Sequence, residues 1–69
     1  MTTANEIVLT DRQQFTLSLI GEGLSTKEIA ARLGVKERTA KAHVDLLRVK
    51  FGVKHKRNLV PIALERSKP

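Results

Sequence analysis

Four charged side chains, Arg38, Lys41, Asp45 and Arg48, recur at intervals of three, four and three residues. In a helix that spacing aligns them on one face. Three cations with one carboxylate among them can grip an anion, pair with one another, or stand in water. Ala40, Val44, Leu47 and Phe51, at four, three and four, form a second and apolar face on the same segment. Thr39 and His43 are interleaved with these. His43 has no nucleophile at readable spacing, so general-base chemistry has nothing to act on. The chain has no cysteine and only one other histidine, His55, which leaves a metal without a ligand set. His55 itself reads as a loop or helix-start residue. No metal, no cofactor, no small-molecule ligand and no enzymatic activity are expected.

Size and charge narrow the field further. Sixty-nine residues make one small domain, which buries only roughly 60% of its unfolded surface. Such a core can hardly wall off a deep substrate pocket. With two Phe and no Trp or Tyr, stacking platforms for single-stranded nucleic acid are also unexpected. The net charge is +6, unevenly spread: residues 1–35 hold three bases and four acids, residues 36–69 ten bases and three acids. A basic half suits a polyanion bound through its phosphates; it also suits a merely soluble surface, and charge alone does not separate the two. No secretory signal pattern and no membrane-spanning apolar run is present, so the expected location is the cytoplasm, with no membrane partner; a cysteine-free, basic domain of this kind is expected from a bacterium or phage.

The elements that must position these residues are well punctuated. Residues 1–8 carry no helical period and are expected to form a flexible arm; residues 67–69 are a tail. Thr10-Asp11-Arg12-Gln13 is a capping box opening a first helix, with Phe15, Leu19 and Ile20 as its buried stripe and Gly21 and Gly23 as its stop. Ser25-Thr26-Lys27-Glu28 is a second box, with Leu24 and Ile29 as a hydrophobic staple. Ile29, Ala30 and Leu33 make that helix's inner face, and Gly34 ends it. A third helix is predicted from about Glu37 to Phe51, ending at Gly52. A fourth is predicted over about Lys56 to Arg66. Proline is tolerated in a first turn, so a start near Asn58, which puts Pro61 three residues in, is expected; an earlier start would make Pro61 distort the helix.

A short capped helix, a tight turn at Gly34-Val35-Lys36 and a longer helix with a basic outer face describe a helix-turn-helix. Ala30, four residues before the turn glycine, allows a close crossing. From Leu9 to Ala63 the chain resembles the LuxR/GerE-type helix-turn-helix domain of bacterial transcription regulators. The matching pieces are Leu9-Thr10-x-Arg12, Gly23-Leu24-Ser25-Thr26-Lys27-Glu28-Ile29-Ala30, Leu33-Gly34-Val35, Thr39-x-Lys41-x-His43, Gly52-Val53 and Leu59-Val60-x-x-Ala63. The chain departs from the family pattern at Gln13, Lys36, Ala40, Asp45, Leu46, Lys56 and Pro61. The resemblance implies an all-α, compact four-helix domain spanning residues 9–66, a DNA-reading third helix and dimerisation through the fourth.

Roles follow residue by residue from position on the third helix. Lys41 is placed to reach guanine O6 and N7, Ala42 a thymine methyl, and Asp45 cytosine N4; Asp45 can equally repel phosphate or orient Lys41 at i,i+4. Thr39, His43 and Arg48 resemble the family's phosphate contacts, and Lys27 and Arg38 join them on charge and position. Leu59, Val60, Ile62, Ala63 and Leu64 are the expected dimer interface: one side of the fourth helix should pack inward and the other remain exposed.

The function so expected is a stand-alone, sequence-specific regulator of transcription that binds double-stranded DNA as a homodimer. RNA polymerase or another regulator is a further conceivable partner. Two alternatives are a protein-interaction module that pairs with a larger LuxR-type regulator and titrates it off DNA, and a sigma region-4-like module.

Overall fold

The computed structural model describes residues 7–67; residues 1–6 of the expected arm and residues 68–69 of the expected tail lie outside the described residues. Four α-helices follow in order: α1 (Asp11–Gly21), α2 (Thr26–Leu33), α3 (Glu37–Phe51) and α4 (Leu59–Arg66), with one 3-10 turn (Lys56–Asn58) leading into α4. They pack as two pairs, α1 on α4 and α2 on α3.

Both capping boxes form. The Gln13 N–H donates to Thr10 Oγ1 at 3.1 Å and the Thr10 N–H to Gln13 Oε1 at 3.0 Å. The Glu28 N–H donates to Ser25 Oγ at 3.2 Å and the Ser25 N–H to Glu28 Oε1 at 2.8 Å. Each pair satisfies two backbone donors that a helix start otherwise leaves unmet.

The core is drawn from all four helices: Leu17, Leu19 and Ile20 of α1, Ile29, Ala30 and Leu33 of α2, Ala40, Val44 and Leu47 of α3, and Leu59 and Ala63 of α4. Two expectations need correcting here. Phe15 is 48% exposed; the α1 stripe is instead centred on Thr16, Leu17, Leu19 and Ile20. Thr16 can be buried because its hydroxyl donates to the Arg12 carbonyl at 2.8 Å. Leu59 and Ala63, expected at a dimer interface, are buried within this chain. They supply the apolar cover for α1 that so small a core needs.

The turn between α2 and α3 is closed by Gly34 in the left-handed region (φ 70°). The Val35 N–H donates to the Ala30 carbonyl at 3.0 Å and the Gly34 N–H to the Ala31 carbonyl at 3.3 Å, a Schellman motif. Gly52 (φ 69°) ends α3 the same way, with Val53 bonded to Arg48 and Gly52 to Val49. The expected start of α4 near Asn58 agrees with the structure, though not through a side-chain cap. Asn58 Oδ1 turns back to accept from the His55 N–H at 3.2 Å. Pro61 is the third residue of α4, within the first turn, where its missing N–H costs little.

Gly21 lies inside α1 rather than beyond it. A Cβ there would meet Ala63 Cβ at 2.8 Å, so the glycine is the contact surface on which α4 lies. Gly21→Ala is expected to lower stability by about 1–3 kcal/mol through overpacking, despite roughly 1 kcal/mol of gained helix propensity. Thermal unfolding of Gly21→Ala, Ala63→Gly and the double variant checks this. The double variant should be more stable than the two single losses added together.

Candidate functional site

The buried residues of α3, Ala40, Val44 and Leu47, hold it by one stripe. At 3.6 residues per turn, Arg38, Ala42, Asp45 and Val49 come round to the opposite, outward side. Lys41 and Arg48 border that side on the flank towards α2; Thr39, His43 and Lys50 border it on the flank towards α1, where the Lys50 ammonium donates to Gln13 Oε1 at 3.2 Å. Thr39, Arg38 and Ala42 are exposed and His43 is half-buried. Lys27 is exposed in the first turn of α2. The structure therefore brings Lys41, Ala42, Asp45 and Arg38 onto one continuous surface, with Thr39 and His43 along its far edge.

On the α2 side an open groove of about 640 Å³ runs beside α3. Thr26, Glu37, Arg38, Lys41, Val44, Asp45, Arg48, Lys54, His55 and Lys56 line it. Cations outnumber carboxylates there five to two. Lys54 and His55 were not singled out from the sequence as site residues. They sit in the connection after Gly52, and only the left-handed turn at that glycine brings them back beside α3. Leu46 and Val49 were also missed; they are 49% and 77% exposed and extend the outward face with apolar surface.

Asp45 is the electrostatic centre of the site. Its Oδ1 accepts from Arg48 Nη2 at 2.8 Å and from Arg48 Nε at 3.2 Å, and its Oδ2 accepts from Lys41 Nζ at 3.3 Å. The hydrogen bonds from Arg48 and then from Lys41 hold its carboxyl below the ordinary 3.8. Arg48, expected on a phosphate, is also engaged within the chain: its Nη1 donates to the Lys54 carbonyl, which ties the connection after α3 to α3 itself. Lys56 performs a similar tie, its ammonium donating to the Leu24 carbonyl at 2.8 Å. Among the described residues no group of three His, Cys, Asp or Glu side chains is arranged to hold a metal, and no helix is long and apolar enough to cross a membrane.

Known proteins are similar to this chain in sequence. The family described as "Bacterial regulatory proteins, luxR family" matches residues 7–63. The chain is 37% identical over 62 residues to the transcriptional regulatory protein YdfI of Bacillus subtilis, covering 90% of this chain and 29% of that protein. It is 38% identical over 63 residues to the DNA-binding transcriptional activator DevR/DosR of Mycobacterium tuberculosis, covering 88% and 29%. It is 39% identical over 59 residues to the oxygen regulatory protein NreC of Staphylococcus aureus, covering 86% and 27%. The chain thus spans less than a third of the length of these relatives.

Two carboxylates provide a test of the electrostatics. Glu28, like Asp45, is held below its ordinary value, chiefly by the hydrogen bond from the Ser25 backbone. A lowered folded value means that the stabilisation is complete above the ordinary range and is lost as pH falls through the folded value. Carboxyl-carbon NMR titration should place the Asp45 midpoint below 3.8 and the Glu28 midpoint below 4.5. Arg48→Ala should raise the Asp45 midpoint and leave that of Glu28 in place.

Proposed function

Because the chain belongs to the luxR family of bacterial regulatory proteins, DNA-binding regulators and not enzymes, we propose that it binds double-stranded DNA in a sequence-selective way and regulates transcription in the cytoplasm. The observation that carries the reading is the exposure of α3. The helix is anchored by one stripe, its opposite side is unobstructed, and a cation-rich groove runs along its flank. A helix of this kind enters the major groove with its N-terminal half against base edges. Lys41, Ala42 and Asp45 stand there, while Lys27, Arg38, Thr39 and His43 are positioned for the flanking phosphates. Lys54 and His55 extend that phosphate track. Phosphate contacts fix register, and base contacts carry selectivity.

The same reading includes a homodimer. With Leu59 and Ala63 turned into the core, and Val60 and Ile62 both half-buried against it, the outward apolar side of α4 reduces to Leu64 and the exposed edge of Val60. Leu64 is 52% exposed. A two-fold pairing of that side would be isologous and would set two copies of α3 about one DNA turn apart, roughly 34 Å.

Two experiments test these statements. Binding to duplex DNA should weaken steeply with salt, log K against log salt falling by about 0.9 per phosphate contacted; a flat response, or no binding at low salt, would overturn the DNA reading. Stoichiometry on a selected palindromic site should be two chains per duplex. Leu64→Glu should reduce this to independent half-site binding with the helical circular dichroism unchanged. A variant that still binds cooperatively as a pair would remove α4 from the interface.

A further inference from the structure

The Lys41–Asp45–Arg48 cluster holds more than an ion pair on a helix surface needs. Exposed i,i+4 pairs add little to stability, yet this carboxylate is held from two directions at once. An ionised carboxylate offers about four acceptor positions. Arg48 occupies two on Oδ1 and Lys41 one on Oδ2, so one position on Oδ2 remains. Lys41 uses one of its three ammonium hydrogens on that oxygen, so two remain. Lys41 is 70% exposed along its side chain, Asp45 40%. The surface therefore presents a fixed acceptor beside a double donor, with Nζ and Oδ2 3.3 Å apart.

A G·C base pair carries the complement of that pattern on its major-groove edge: two adjacent acceptors, guanine N7 and O6, then one donor, cytosine N4. O6 and N4 are hydrogen-bonded to each other, which sets them about 2.9 Å apart. An A·T pair fits worse, because its N6 donor lies between its two acceptors and would face the ammonium.

We propose that Lys41 and Asp45 read one G·C base pair as a single unit, the ammonium on guanine N7 and O6 and the carboxylate on cytosine N4, with Arg48 as the positioning residue that fixes the carboxylate. This rests on the DNA-binding reading above and adds the base pair it selects. The ion pair survives on DNA, so neither charge has to be stripped of its partner on binding. The same carboxylate repels phosphate, which lowers affinity for duplexes that do not offer the N4 donor.

The test uses the whole chain and a half-site obtained by selection from a random duplex pool. Each selected half-site should contain one invariant G·C pair facing α3. Replacing its guanine by 7-deazaguanine should weaken binding, while inosine, which leaves the major-groove edge intact, should not. Asp45→Asn should cut discrimination at that pair by roughly five- to a hundredfold. It should at the same time tighten binding to random duplex and steepen the salt dependence by about 0.9. A purely structural Asp45 would instead lower affinity for selected and random duplexes together. Arg48→Gln should reduce discrimination at the same pair and at no other. The proposal is overturned if Asp45→Asn retains the wild-type ranking of base pairs, or if selected and random binding fall in parallel. If the wild-type chain binds no duplex at all, the DNA reading falls with it. If the wild type selects sites that Asp45→Asn ranks identically, only the present proposal falls.

Discussion

The half-turn around Gly34 decides where the side chains of α3 point. Its two backbone hydrogen bonds close α2 and start the chain towards α3 within three residues. The left-handed φ at Gly34 is one that a side chain would strain. Small residues follow from this geometry: Ala30 and Ala40 are both buried in the pair of helices that the turn brings together. Once α3 is seated by Ala40, Val44 and Leu47, helical periodicity leaves no choice about its other side. The second left-handed glycine, Gly52, repeats the device and returns Lys54 and His55 to the flank of the same helix. The proposed DNA-facing surface is thus built by two backbone turns and one apolar stripe, none of which belongs to that surface.

Charge does two jobs in the basic half of the chain, and formal counting merges them. Arg48 bonds Asp45 and the Lys54 carbonyl, Lys56 the Leu24 carbonyl, Lys50 the Gln13 side chain, and Arg66 the Gln14 side chain while lying 5.8 Å from the Phe51 ring centroid. These long side chains replace the apolar contacts that a domain of this size lacks, spanning gaps between elements with donors that reach carbonyls and amides. Arg38 lies instead on the outward side of α3, and Lys41 borders that side, paired with Asp45 of the same helix. A charge map from sequence would have weighted all of them equally.

The helices, their caps and the α3 stripe were legible because each is written in local chemistry. Thr10 with Gln13, Ser25 with Glu28, and glycines at 34 and 52 announce their elements without reference to the rest of the chain. What failed to show was tertiary. Phe15 satisfies the spacing of a buried residue as well as Leu19 does, and only the direction from which α2 and α4 approach α1 decides between them. Gly21 looks like a stop signal until Ala63 is found against it. The bond from Arg48 to the Lys54 carbonyl was hidden as well, because that carbonyl arrives through a turn six residues on. Lys54 and His55 lie outside any helix period, so no pattern in the sequence could assign them to the groove.

The division of α4 has a consequence for assembly. An eight-residue helix that commits Leu59 and Ala63 to the core, with Val60 and Ile62 half-committed, has little left to give a partner. Leu64 and the exposed edge of Val60 make a contact far smaller than a stable free dimer needs. On a palindromic duplex the requirement is different. A copy held on one half-site presents its α4 to a copy on the other at a high effective concentration, and a weak contact then suffices to link them. In the proposed dimer the core and the interface therefore compete for the same short helix. Giving the larger share to the core keeps the monomer folded, and leaves DNA to supply most of the reason for pairing.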